Sequence, residues 1–359
     1  MTYSKIDLSE LELANETLKS SKDLFYDSFI KGGPFADFHN IIPDVKFTKE
    51  VGLLGELGII GTTRQGCSPT ADVASATATK KVWTQSSWQV ILDFCAADLA
   101  ATIAKYDLKM GPERNKLEGT AYFEAIMELL GTAINKMLWR IAWMSDTEAA
   151  HSDDSPAGVI NPNYALKYFT MADGYWKQIY AIVAETPARK IAIAANAEAT
   201  AALQDSALTS TLAFGYLQNF KYSCSAPLKA EIGAGNTRNF ATRSLIDKAE
   251  QYLMDKSIVP TYENLTNGVK ALRINGMLWE PMDIWDEQIR AYEDNGTTYN
   301  KPHRALVTTK DNILFGVPSS SIIDTLDAYY LLKEEVERVK AEDDFSPLIL
   351  RDNLVQVAY

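Results

Sequence analysis

Histidine and cysteine are both scarce in this chain, with three of each among 359 residues. Cys67, Cys95 and Cys224 are far apart, odd in number and without CxxC spacing. That excludes a disulfide framework and a thiolate metal site, and reads as reduced thiols in a cytoplasm. His39, His151 and His303 stand beside no GxSxG, no HExxH and no cysteine with a recognisable partner. No catalytic, cofactor-binding or metal residue is assigned, and a structural role is expected in place of an enzymatic one. Basic charge is short as well: 35 Lys and Arg against 47 Asp and Glu give a net charge of -12. This argues against a basic nucleic-acid groove, though not against a protein that encloses nucleic acid without gripping it. No apolar run approaches the ~20 residues that span a bilayer, so no membrane partner is expected. The opening stretch, MTYSKIDLSELELANETLKSSKDLF, is too polar and acidic for a signal or transit peptide.

What the chain does have is a long helical pattern from Gly119 to Ser145. Phe123, Ile126, Leu130, Ile134, Met137 and Ile141 recur at intervals of three or four. Tyr122, Leu129, Ala133, Leu138 and Ala142 form a second apolar face, and Trp139 and Trp143 lie one turn apart. No proline interrupts the run, and only Gly131 weakens it. A helix apolar on two sides must be covered from more than one direction.

Two segments before it cannot make a core of their own. Residues 1–44 scatter Leu8, Leu11, Leu13, Leu18, Leu24, Phe25 and Phe29 among charges and break at Lys31-Gly32-Gly33-Pro34, as an arm lying on something else would. From Val45 to Leu92, VKFTKEVGLLGELGIIG has glycine at every third position, a small polar stretch follows, and KVWTQSSWQVIL returns as a strand-like run. Two extended runs around a small polar tip predict a long two-stranded hairpin. Such a hairpin is marginal in water and should lie on another surface. Leu53, Leu54, Leu57, Ile59 and Ile60 are the residues expected to be covered by an adjacent subunit, with Trp83 and Trp88 near the hairpin base. A phosphate-binding loop is disfavoured because no GxxxxGK[ST] is present.

The remainder mixes both kinds of element, which makes the fold class α+β. A short Ala-rich helix is expected over Cys95–Tyr106. DTEAAHSDDSPAGVINPN reads as a solvated acidic loop; Asp146, His151, Asp153 and Asp154 match no EF-hand or zinc spacing. TRSLIDKAEQYLMD predicts a helix with Leu245, Ile246, Ala249, Tyr252 and Leu253 inward and Thr242 as its cap. VKALRINGMLWEPMDIWDEQIRAY predicts a strand, a turn near Asn275-Gly276, a second strand and a helix. ALVTTKDNILFGV predicts two strands joined at Lys310-Asp311-Asn312. SIIDTLDAYYLLKEEVERVKAED has helical spacing, and LILRDNLVQVAY reads as a closing strand. Gly233-Ala234-Gly235 reads as a turn. The carboxylate pairs Asp153/Asp154, Glu334/Glu335 and Asp343/Asp344 lie in polar surroundings.

Taken in order, with FTKEVGLLGELG in the hairpin, FTMADGYWKQI after the long helix, INGMLWEPMDIWDEQI, KPHRALVTTKDNILFGV and the closing VQVAY, the chain resembles the major capsid proteins of tailed bacteriophages. The resemblance implies the Hong Kong 97-like fold: an N-terminal arm (1–44), an extended β-hairpin loop (45–92), a peripheral domain (93–221) with a spine helix (119–145), an axial domain (222–335) and a C-terminal return (336–359). It further implies self-assembly, through hexamers and pentamers, into an icosahedral virion shell. That shell encloses double-stranded DNA without sequence-specific binding and is assembled in the bacterial host cytoplasm. Many relatives begin with a long scaffolding segment that is later cut away. Here the hairpin starts near Val45, which implies a separate scaffolding protein, alongside a portal and optional cement proteins. Some relatives crosslink a hairpin lysine to an asparagine, for which Lys80 and Lys81 are the candidates. Two other readings stay open: an encapsulin-like nanocompartment shell, and a cytosolic α+β enzyme or binding protein.

Overall fold

A computed structural model describes residues 34–45, 49–57, 76–94, 121–265, 270–318, 325–331 and 336–359. Its helices are α1 (Pro34–Phe38), α2 (Ala121–Trp143), α3 (Tyr175–Glu185), α4 (Ala201–Ala207), α5 (Ser210–Ser223), α6 (Ala226–Ala234), α7 (Arg243–Asp255) and α8 (Asp283–Tyr292). The long helix expected over 119–145 is α2, whose 23 residues make a rod of about 35 Å. The helix expected over Cys95–Tyr106 lies outside the described residues.

The strands form two sheets and one ribbon. In the first sheet β1 (Asn40–Ile42), β11 (Ile313–Gly316), β13 (Val336–Ile349) and β12 (Thr325–Leu331) lie in that order, with β4 (Ser86–Phe94) also paired to β13. The second sheet runs β5 (Lys190–Ile191), β14 (Gln356–Ala358), β10 (Ala305–Thr309), β6 (Thr237–Ala241), β9 (Met277–Pro281), β8 (Lys270–Ile274) and β7 (Thr261–Asn264). The ribbon is β2 (Lys49–Leu57) against β3 (Ala76–Trp83).

The central strands of the second sheet, β14, β10, β6 and β9, are buried on both faces, and their residues alternate accordingly. Phe240, Leu306 and Val357 point toward α2, α3 and α8; Ala241, Ala305, Val307 and Ala358 point toward α5, α6 and α7. Trp143 at the end of α2 is fully buried, with rings of Tyr175 at 4.9 Å and Trp285 at 4.8 Å. Ile134, Met137, Leu138, Ile141 and Ala142 are buried too, so the C-terminal half of the helix is covered from more than one side as its pattern requires. Ala133, grouped with the second face, is exposed.

Several short signals read from the sequence appear as expected. Asn275 (φ 51°) and Gly276 (φ 82°) make the two-residue turn between β8 and β9, the pair of positive φ values that favours Asn-Gly. Lys310–Asn312 joins β10 to β11, although these strands belong to different sheets. Leu245, Ile246, Ala249 and Leu253 of α7 are buried, and Tyr252 stacks on Phe214. Thr242 is not a side-chain cap; its hydroxyl accepts the Arg304 N–H at 3.2 Å.

Other expectations are corrected. Residues 34–45 are not part of a loose arm. Phe35, Phe38 and Val45 are buried, and β1 pairs in parallel with β11. KVWTQSSWQVIL is not one strand: it divides at Thr84-Gln85, and its second half, β4, pairs with β13 over Ser86–Phe94. Within the segment read as helical from Ser321, the described residues Thr325–Leu331 and Val336–Asp343 are strand, because β13 is paired to β12 on one side and β4 on the other. Two ladders outweigh the helical spacing of its charges. The closing stretch is split between β13 and β14, in different sheets. Gly233 lies in α6, and Gly235 caps that helix with φ 76°, the left-handed position glycine favours.

Candidate assembly surface

The ribbon β2–β3 leaves the body of the molecule at Trp83. Lys49 pairs with Trp83, Val51 with Lys81, Leu53 with Thr79 and Leu54 with Ala78; the register then shifts before Leu57 pairs with Ala76. Leu53, Leu54 and Leu57 thus lie on β2, and Ile59 and Ile60 fall outside the described residues. Glu50 and Lys80, joined at 2.8 Å, are well exposed, and nothing lies within 4 Å of where a Gly52 Cβ would be.

The root of the ribbon is built differently. Trp83, only 2% exposed, packs with Val45, Leu314 and Leu348. It occupies the space a side chain at residue 316 would need: a Cβ on Gly316 would lie 2.6 Å from Trp83 Cζ3. Around it, Lys81 pairs with Asp352 at 2.8 Å, the Ser346 hydroxyl donates to Thr84 O at 2.8 Å, and the Gln85 amide donates to Asp344. Trp88, also 2% exposed, belongs to the main core. Both lie at the hairpin base as expected, but buried within their own chain, where they present little surface to a neighbour. They weld the hairpin root to its own chain. Beside this root, between α3 and β13, lies a groove of about 310 Å³ whose lining includes Val82, Ala181, Ile182, Pro347 and Leu348. Val82 is 42% exposed there.

The histidines are placed by packing. His39 is buried between Phe35 and Tyr175, donating from Nδ1 to Phe35 O at 2.7 Å and accepting the Trp143 indole N–H on Nε2 at 2.9 Å. Burial holds its pKa down at about 3. His303 is buried with its pKa lowered by desolvation, bonded to the Ser244 hydroxyl at 2.8 Å and Gln204 O at 3.0 Å. His151 sits with Asp153 and Asp154, their ligand atoms within 4.8 Å of one another. The His151 imidazole donates from Nε2 to Tyr164 O at 2.9 Å, and its backbone N–H goes to Asp154. Asp146, expected with them, instead pairs with Lys177 at 2.8 Å. Asp343 and Asp344 lie on β13, and Glu334/Glu335 is outside the described residues. No described helix is long and apolar enough to cross a membrane.

No protein-family model matches the chain, and no curated protein does. Among solved structures it aligns with a chain of the satellite phage P4 procapsid, a structure that includes the size determination protein. The TM-score is 0.53 at 10% identity, with 99% of this chain and 93% of that one covered. A chain from Mycobacterium phage Ogopogo aligns at 0.51 and 13% identity over 91% of each. The chain has the Hong Kong 97-like capsid fold. An encapsulin complex from Synechococcus elongatus is also similar, at a TM-score of 0.44 and 8% identity over 91% of this chain and 87% of that one. Within this capsid fold β2–β3 is the extended hairpin and α2 the spine helix. Sequence reasoning found the hairpin but missed its anchor; the tryptophan of β3 facing a glycine on β11 has no local signal.

Proposed function

We propose that the chain is a major capsid protein, the repeating subunit of an icosahedral shell around the double-stranded DNA of a tailed phage. The observation that carries this is the capsid fold over nearly the whole chain, joined to a hairpin fixed at its root by Trp83. Leu53, Leu54 and Leu57, with Ile59 and Ile60 beyond them, are the residues we assign to contact with an adjacent subunit. The groove beside Trp83 would receive part of that neighbour. A net charge of -12 suits a container that must not hold its genome tightly.

The five-stranded sheet with α2 and α3 is assigned to the peripheral domain and the seven-stranded sheet with α5, α6 and α7 to the axial one. On this assignment the boundary moves from 221 back to near Ile193, since Ile193, Leu208, Leu217 and Phe220 share one core with Leu245 and Trp279. Any arm that reaches a neighbour is confined to residues before Pro34. A scaffolding protein and a portal belong to the same reading.

Negative-stain imaging and native mass measurement of protein purified from producing cells test it. Closed particles of uniform diameter are expected; a monomer or small oligomer contradicts the reading.

A further inference from the structure

The seam between α3 and the loop after α8 carries more donors and more positive charge than its surroundings satisfy. Arg304 is fully buried. Its Nε donates to Lys301 O at 2.8 Å, and its Nη2 to Asn300 O at 2.6 Å and to the Glu293 carboxylate. Its Nη1 has only the Met144 sulfur, 3.6 Å away, which is a weak acceptor. The guanidinium lies over the Trp176 ring at 5.1 Å, and the Trp176 and Tyr180 rings are 5.8 Å apart. The Tyr180 hydroxyl and the Trp176 indole N–H are both buried without a partner among the described residues.

The charges point the same way. Lys301 Nζ lies 4.2 Å from the centre of the Tyr180 ring and 5.3 Å from that of Tyr359, and Lys190 Nζ lies 4.2 Å from Tyr359. Lys190 is exposed, while the half-buried Lys301 has near it the Glu293 carboxylate, which is already taken by Arg304 and by the Asn300 amide at 3.0 Å. Glu198 lines the adjoining cavity of about 380 Å³, to which Lys301, Glu293 and Asn300 also contribute, but it makes no ion pair with Lys301. Every unmet group here can donate, and Lys301 is a half-buried cation with no ion pair of its own among the described residues. Unpaired buried donors and a partly desolvated, unpaired cation are both costly, and one small anion relieves both.

We propose that this cluster binds a small monovalent anion of chloride's size, held by the Lys301 ammonium, the Tyr180 hydroxyl and Arg304 Nη1. The bound ion ties α3 to the 293–304 loop and to the chain beside β14. Burial and the neighbouring Arg304 hold the Lys301 amine down at about 8; a bound anion opposes that shift and keeps the amine protonated.

Thermal unfolding of the full chain in sodium chloride, against sodium gluconate at matched ionic strength, tests this. Chloride should raise the melting temperature saturably, by about 2–4 °C over gluconate. Lys301→Met and Tyr180→Phe should each abolish the difference. Identical curves in the two salts overturn the proposal, as does a chloride increment that survives both substitutions. If the variants do not fold, acetylation of Lys301 in the unaltered protein decides, read by mass spectrometry. Chloride should slow it several-fold relative to gluconate, and equal rates contradict a bound ion.

Discussion

His39 is neutral because of what its two nitrogens face. A carbonyl can only accept and an indole N–H can only donate, so Phe35 O and Trp143 fix the tautomer between them. The unfolded ring titrates near 6.5 and the folded one near 3. Its contribution to stability is therefore complete above pH 6.5 and is lost as pH falls toward the folded value. The slope is at most about 1.4 kcal/mol per pH unit. Denaturant unfolding from about pH 7 to about pH 5 should show that slope, and His39→Gln should flatten it; an unchanged profile would remove the ring from the account. Gly316 is the second informative residue. Its missing Cβ lets Trp83 lie against β11, so Gly316→Ala should destabilise by about 1–3 kcal/mol as an overpacked site. A chevron or equilibrium curve that does not move would mean the ring shifts freely. Neither the His39–Trp143 bond nor the Trp83–Gly316 contact could be read from the sequence, because each joins residues more than a hundred positions apart.

At the scale of elements, legibility follows how local the determining signal is. The pattern that recurs through Ile134, Met137 and Ile141 needs no partner to be recognised, and α2 runs from Ala121 to Trp143 where the periodicity places it. Ile134→Ala should cost ~2–5 kcal/mol as a buried large-to-small change, measured by urea unfolding; a loss below that range would mean the site collapses around the gap. Asn275-Gly276 is equally local, since the turn demands positive φ at both positions. β13 shows the opposite case. In its second half Ala341 and Phe345 are buried while Glu342 and Asp344 are half-exposed. The first half, VERVK, carries charges at helical spacing and becomes strand only because β12 and β4 flank it. The segment Pro34–Val45 fails for the same reason: few apolar residues look like an arm until β11 and α2 supply the surface they bury against.

At the scale of the whole molecule, the two sheets and their helices form a self-sufficient body, with β10 buried on both faces at its centre. On the proposed reading, the hairpin is the part that a single copy does not complete. Its strands were legible because glycine spacing and apolar runs are local, whereas the anchoring of its root depends on Trp83 and Trp88, which burial assigns to the interior. The shell reading therefore rests on β2 and β3 gaining their cover from another subunit. Amide hydrogen exchange over residues 49–57 and 76–81, compared between free subunits and assembled particles, measures that directly. Exchange should be fast in the free subunit and much slower in the particle, while α2 is protected in both. Equal protection of the hairpin in the two states would contradict the account.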